Sequence, residues 1–279
     1  MLQTIALHDT ITVAAAPGPF RIACSDPACP VDRTNLVWRA ADRLWQAAGR
    51  RGAPRDVAVR IEKRIPLGSG LAGGSSDAAA AIRALSRLWG LNLPRERRLA
   101  VAASIGADVP FFLHAGTALG VDRGDALIPL ADMRSAWVTI VVPSFGIGTK
   151  DAYSWWDLDR KGRRPTSSSS RKTLRGLFGG RLPASLTNED AGNDLERAVA
   201  TRHPEIARIV QSLVRAGASH AAMSGSGSAV FGLFSSRAAA VAAAARFAEV
   251  AGRVAVTETI TRRRHASFAR LDETDGARS

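Results

Sequence analysis

Apolar residues recur along the chain with two different periods, and the switches between them mark its elements. Thr10 to Ala15 alternates weakly and Val57 to Ile61 alternates clearly, which predicts two strands. From Thr34 to Ala48 the spacing is helical, with Leu36, Val37, Ala40, Leu44 and Ala47 near one face. Asp77 to Leu88 predicts a long alanine-rich helix, and Glu96 to Ile105 predicts another that stops at Gly106. Thr117 to Val121 and Trp137 to Val142 read as strands, the second so uniformly apolar that it predicts burial. Farther on, Asn193 to Val199 and His203 to Ala216 are helical. Ala221 to Phe234 is a strand–turn–strand around Ser224-Gly-Ser-Gly227, Arg237 to Ala251 is a helix of Ala and Val, and Val254 to Thr259 is a last strand.

Between these elements, Pro17 to Pro30 reads as loop. Lys161 to Arg175 is polar, basic and serine-rich, a surface loop or a disordered insertion. The fold class is therefore α+β, with two lobes expected over residues 1–142 and 143–271, meeting near Pro143, and a frayed tail at 272–279. No internal repeat of fixed period is visible.

Composition narrows the function classes. The chain has 279 residues, 46% of them hydrophobic, enough for one large or two smaller domains. No window approaches the roughly 18 uninterrupted apolar residues of a membrane span. The start, Met1-Leu-Gln-Thr-Ile-Ala-Leu-His-Asp9, lacks the basic and apolar regions of a secretory signal. Cys24 and Cys29 have no partner pair at metal spacing, so free thiols in a reducing cytoplasm are expected. The formal charge of +13 comes mostly from scattered arginines without an aromatic-rich basic face. That pattern suits GC-rich coding better than nucleic-acid binding, and neither a nucleic-acid nor a membrane partner is expected.

The densest chemical signal is the run Pro66, Leu67, Gly68, Ser69, Gly70, Leu71, Ala72, Gly73, Gly74, Ser75, Ser76. Glycines admit positive φ and close approach of backbone to a ligand. Placed between a strand and a helix, such a loop presents N–H groups at the positive end of a helix dipole, where phosphate binds. A Gly/Ser run is also what a plain linker looks like, but a linker does not usually join an apolar strand to a capped helix. Ser75 or Ser76 is the expected N-cap, with Asp77 in the first turn. No Gly-Lys-Ser/Thr follows, so this is not a Walker A loop.

Three segments together resemble the GHMP kinase superfamily: the glycine run above, Gly106-Ala-Asp-Val-Pro-Phe-Phe112, and Met223-Ser-Gly-Ser-Gly-Ser228. Further pieces are similar to one branch of it: Leu2-Gln-Thr4 with Asp9-Thr10, Asn35-Leu36, Gly116-Thr-Ala-Leu119 with Gly124-Asp125, and Asn193-Asp-Leu-Glu196. The resemblance runs from residue 1 to about residue 260. It implies a two-lobed kinase that uses ATP and Mg²⁺ to phosphorylate a hydroxyl of a cytidine-diphosphate-linked methylerythritol, working in the cytoplasm as a monomer or homodimer. The glycine run would hold the β- and γ-phosphates, and Mg²⁺ would bridge phosphate oxygens within reach of a loop serine, with no metal site built from protein ligands. Asp108 matches the aspartate that accepts or orients the substrate hydroxyl; read without the resemblance, it is an acid that caps a turn or helix. Asn35 matches an adenosine-side asparagine, or is simply a helix N-cap. Thr149 and Tyr153 fall where the family places residues near the cytidine, Tyr153 either stacking or only packing. Gly225 shapes the substrate side, or is a plain turn glycine.

One departure matters. The family begins with a segment like Ala-Lys-Ile-Asn-Leu, then Asp-Gly-Tyr-His-x-Leu, supplying a catalytic lysine and cytidine contacts. Met1-Leu-Gln-Thr4 resembles what comes just after them, and neither Lys63 nor Lys150 stands in that lysine's place. The favoured expectation is that Met1 is an internal or alternative start of a longer active enzyme. The other is a short chain that has lost a cation worth on the order of a hundredfold in rate, with a sheet edge left open. As written, the chain is expected to be poorly active. Two rival readings follow: a GHMP kinase for another alcohol, such as homoserine or a mevalonate-type substrate, and a non-catalytic nucleotide-binding homologue.

Overall fold

In the computed structural model, which describes residues 1–121, 126–160, 193–249 and 251–268, the alternation at Val57, Val59 and Ile61 becomes the buried face of β4 (Arg55–Glu62). Lys161 to Arg175, Gly124-Asp125 and the tail at 272–279 lie outside the described residues. The chain groups into two compact units. The first comprises Met1–Leu67, Ala72–Ser135 and the residues from Glu258 on; the second comprises Gly68–Leu71 and Ala136–Thr257.

In the first unit β4 is the middle of a three-stranded sheet of order β2-β4-β3. β2 (Thr10–Pro19) runs antiparallel to it, with Thr10 opposite Glu62 and Ala15 opposite Val57. β3 (Arg21–Cys24) runs parallel, with Arg21 opposite Ala58. The expected loop from Pro17 to Pro30 is thus partly strand. Pro17 and Pro19 are tolerated because β2 is an edge strand, where a missing N–H breaks no ladder bond. Gly18 takes the bend at φ 105, and its N–H donates to Asp56 Oδ1 at 3.1 Å.

Two helices cover this sheet. α1 (Leu36–Ala47) buries Val37, Ala40, Ala41 and Leu44, and α2 (Gly73–Leu88) buries Ala78, Ala79, Ala81, Ile82 and Leu85, all in one core with the β4 residues. The predicted stripe of α1 holds at Val37, Ala40 and Leu44, while Leu36 and Ala47 lie at its partly buried rim. α3 (Arg95–Ile105) ends at Gly106 as its pattern predicts and adds Val101, Ala102 and Ile105. α4 (Val109–His114), at 6 residues, is too short to show a period. A small antiparallel sheet of order β1-β5-β6 joins β1 (Leu2–Gln3), β5 (Thr117–Val121) and β6 (Ala126–Pro129).

The second unit is built on β7 (Trp137–Val142), which is buried from Val138 to Val142 because it is internal to a four-stranded sheet. The strand order is β10-β7-β9-β8, with β8 (His220–Met223), β9 (Val230–Phe234) and β10 (Arg253–Glu258). α5 (Thr149–Arg160), α6 (Asp194–Arg202), α7 (Pro204–Arg215) and α8 (Arg237–Ala245) contribute to its core through Ala152, Leu195, Val199, Ile206, Leu213, Ala240 and Ala243. α8 stops short of the expected Ala251. It buries only Ala240 and Ala243, and a helix so weakly anchored gains little from further turns. A last helix, α9 (Arg262–Phe268), returns to the first unit. Both cysteines are free. Among the described residues no helix is long and apolar enough to cross a membrane.

The core assignment is testable by truncation. Leu44 is fully buried and Leu88 is 40% exposed on the same pair of packed helices. Leu44→Ala is expected to cost about 2–5 kcal/mol in urea unfolding, and Leu88→Ala less than about 1 kcal/mol. Equal costs would contradict the stated faces of α1 and α2.

Candidate active site

The glycine run leaves β4 and enters α2, and the helix starts earlier than its sequence suggests. Gly73 is its first residue and Ala72 its cap, so Ser75 and Ser76 lie inside the first turn and Asp77 beyond it. This corrects the expectation of a serine N-cap. Ala72 caps in the left-handed conformation, φ 55 and ψ 32, and supplies no side-chain acceptor. An alanine there costs about 1–2 kcal/mol of backbone strain, a kind of strain that clusters at ligand sites. Ser76 Oγ donates to Gly73 O at 2.8 Å instead of capping. The first-turn N–H groups of α2, which have no intrahelical partner, therefore meet no capping side chain at the dipole's positive end.

Beneath the start of α2 lies a group that sequence reasoning passed over. Lys63, just after β4, places Nζ 2.5 Å from Asp9 Oδ2 and 2.7 Å from Asp77 Oδ2. The three side chains are only 3%, 1% and 5% exposed. Asp9 Oδ1 accepts the N–H groups of Arg64 and Ile65, the latter at 2.8 Å. Two carboxylates share one ammonium here. Burial pushes the Asp77 carboxyl up to about 7, with the Lys63 charge pulling it down and the Asp9 charge adding to the rise. Burial alone would lower Lys63, but the Asp77 and Asp9 charges outweigh it and raise it. Lys63 is thus spent on these acids. Lys150 lies exposed on α5 in the second unit, and Lys161 and Lys172 are outside the described residues.

Within the second unit, Gly68–Leu71 packs against the turn that joins β8 to β9. Ser224 Oγ donates to Gly70 O at 3.0 Å, and Ala229 N–H donates to Ser69 O at 2.9 Å. The approach is close enough to demand glycine: a Cβ on Gly70, at φ +77, would fall 2.3 Å from Ser224 O, and one on Gly225 3.0 Å from Gly70 O. The turn is itself held from α6. Asn193 caps that helix by accepting from Leu195 N–H, and its Nδ2 donates to Met223 O at 2.9 Å and Gly225 O at 2.7 Å. Glu196 Oε2 accepts from Met223 N–H at 2.7 Å. On α5, Thr149 and Tyr153 share one face, four residues apart. Thr149 Oγ1 lies 3.1 Å from Ser226 Oγ, and Tyr153 is 54% exposed.

Asp108 stands at the start of α4, yet its side chain makes no capping bond, so capping does not explain the carboxylate. It keeps an exposed surface, and the neighbouring protein removes enough water to raise its carboxyl above the ordinary value. α4 is tied to α2 by Arg83, whose Nη2 donates to Leu113 O at 2.8 Å. Asn35 is an N-cap: Oδ1 accepts from Val37 N–H at 2.8 Å and Nδ2 donates to Pro30 O at 2.5 Å. Its neighbour Leu36 packs 3.5 Å from where a Cβ on Gly74 would stand, which sets the start of α1 beside the glycine run. The fold thus gathers Gly70 with Gly225, Thr149 with Ser226, and the Asn35 segment with Gly74.

Comparison with known proteins identifies the family and the fold. The family model for the GHMP kinases N terminal domain matches residues 35–116, and that for the GHMP kinases C terminal matches residues 180–252. A 4-diphosphocytidyl-2-C-methyl-D-erythritol kinase from Gloeobacter violaceus is 40% identical over 252 residues, covering 88% of this chain and 80% of the relative. Its counterpart from Nocardia farcinica is 41% identical over 250 residues, covering 89% and 80%. Among solved structures, a 4-(cytidine 5'-diphospho)-2C-methyl-D-erythritol kinase matches at TM-score 0.70 and 30% identity, over 91% of this chain and 87% of that one. A homoserine kinase from Cytophaga hutchinsonii matches at TM-score 0.69 and 22% identity, over 91% and 86%, and so shares the fold.

The contact at Gly70 has a built-in control. Gly68 also has positive φ, +64, but a Cβ there meets nothing within 4 Å. Gly68→Ala is expected to cost only the strain of a left-handed alanine, about 1–2 kcal/mol. Gly70→Ala should cost more in thermal unfolding, because backbone must move. Equal melting temperatures for the two variants would show that the loop does not press on the Ser224–Gly227 turn.

Proposed function

Because the chain belongs to the 4-diphosphocytidyl-2-C-methyl-D-erythritol kinase family of GHMP kinases, we propose that it transfers the γ-phosphoryl of ATP to the 2-hydroxyl of 4-diphosphocytidyl-2-C-methyl-D-erythritol. The observation that carries this reading is the glycine run whose exit helix, α2, begins without a side-chain cap. Such a helix start is left for an anion to complete.

Phosphoryl transfer asks a protein mainly for positioning and for stabilisation of charge. The backbone N–H groups of the run from Pro66 to Ser76 hold the β- and γ-phosphates. The start of α1 at Asn35 flanks the adenosine side through the helix it caps, since both polar groups of the Asn35 amide are engaged. A Mg²⁺ ion brought with ATP would be held at the protein through a serine hydroxyl of the run, where it would neutralise phosphate charge.

Asp108 receives the proton of the substrate hydroxyl or orients that hydroxyl. Its raised carboxyl brings it nearer a useful base strength than a fully solvated aspartate. Thr149 and Gly225 line the cytidine side, and the exposed ring of Tyr153 offers a stacking surface for cytosine. Residues 1–142 would carry the nucleotide loop and Asp108, and residues 143–271 the cytidine contacts.

An ADP-release assay with this substrate, ATP and Mg²⁺ tests the reading. Asp108→Asn is expected to lower kcat by about 10²–10⁴-fold while leaving the Kd for ATP within about threefold. Undiminished turnover would remove Asp108 from the chemistry, and bound ATP with no ADP release under any condition would leave a nucleotide-binding homologue.

The pH profile gives a second test. Activity needs the Asp108 carboxylate, so it is present above the folded-state pKa and lost as pH falls through it. Because that pKa is raised in the ligand-free protein, the acid limb of kcat/KM is expected above the range of an ordinary carboxylate. A limb at or below that range would contradict the assigned role.

A further inference from the structure

The side chains of Asp9, Lys63 and Asp77 are enclosed, yet the group joins the two ends of the glycine run. Asp9 Oδ1 fixes the backbone N–H of Arg64 and of Ile65, the residues that lead into the run. Asp9 Oδ2 binds the Lys63 ammonium, and the ammonium binds Asp77, one turn into α2. The helix start rests directly on this group. A Cβ on Gly73 would fall 3.2 Å from Lys63 Nζ and 2.8 Å from Ile65 Cγ2. The distance from the end of β4 to the uncapped first turn is therefore set by one lysine and two carboxylates.

Stability alone is a poor reason for such a group. Burying two carboxylates against one ammonium is costly, and apolar side chains of similar volume often serve a core as well or better. What charge-assisted hydrogen bonds supply, and apolar contacts do not, is a fixed direction and distance. We propose that Lys63, held between Asp9 and Asp77, is a positioning residue for ATP: it sets the spacing of the α2 N-terminus from the entry of the run, and through that spacing sets phosphate affinity without touching the nucleotide. The proposal rests on the reading of the run as a phosphate loop. It concerns a lysine distinct from one that would reach the transferring group, because this ammonium is enclosed and bonded to both carboxylates.

Titration calorimetry of MgATP against the full chain tests it, each variant measured well below its own melting temperature. Asp77→Asn keeps an acceptor for Lys63 Nζ, and its Kd is expected to stay within about threefold of the parent. The triple variant Asp9→Asn/Lys63→Met/Asp77→Asn removes all three charges together, so no buried ion is left unpaired. It is expected to fold and to bind ATP at least about tenfold more weakly, a loss of about 1.4 kcal/mol. Leu44→Ala lowers the stability of the same unit away from the run and is expected to leave the Kd unchanged. A folded triple variant with the parent's Kd overturns the positioning role and leaves a purely structural one. A Leu44→Ala variant that weakens ATP as much as the triple variant also overturns it, because lost stability would then account for the effect. If the parent chain itself fails to bind MgATP, the phosphate-loop reading falls, and the positioning role falls with it.

Discussion

A loop that offers its backbone N–H groups to an anion cannot spend them on itself, so its shape has to be imposed from outside. Every notable feature around the run from Pro66 to Ser76 follows from that constraint. In the first unit, the carboxylate of Asp9 takes the N–H groups just ahead of the run, and Lys63 ties that carboxylate to Asp77 in the helix that follows. In the second unit, Ser224 and Ala229 bond the carbonyl oxygens of Gly70 and Ser69. The carbonyls are tied down and the start of α2 has no side-chain cap.

The supports are themselves supported. The turn that grips Gly70 is bonded by Asn193 and Glu196, and burial raises the Glu196 carboxyl despite its bond from Met223 N–H. Asp108 depends in the same way on α4, whose last carbonyls are bound by Arg83 from α2. Burial lowers the Arg83 guanidinium, and the nearby Arg98 charge adds to the effect. These polar groups lie half-buried behind the residues that would meet ligand, where they fix geometry that loops alone would not hold.

Much of this was legible in the sequence. Alternation at Val57 to Ile61 and the apolar run at Trp137 to Val142 gave the two central strands because burial alone dictates those patterns. Gly68 and Gly70 marked the loop because only glycine takes those positive φ values without strain. The start of α2 was misread because the cap is an alanine in a left-handed conformation, a choice that no propensity favours. Elements as short as β1 and α4 carry no period to detect. The group of Asp9, Lys63 and Asp77 was invisible for a different reason. Each member is an ordinary charged residue by itself; the pairing of β2 with β4 brings Asp9 to Lys63, and the return of the chain through the run into α2 brings Asp77.

A site that moves a phosphoryl group from ATP onto an alcohol of a cytidine-diphosphate-linked substrate leaves a record in the phosphorus NMR spectrum of the reaction mixture. A new phosphomonoester resonance is expected to grow in step with ADP while the substrate's diphosphate signals persist. Loss of the γ-phosphate to inorganic phosphate alone, with no ester formed, would contradict that transfer.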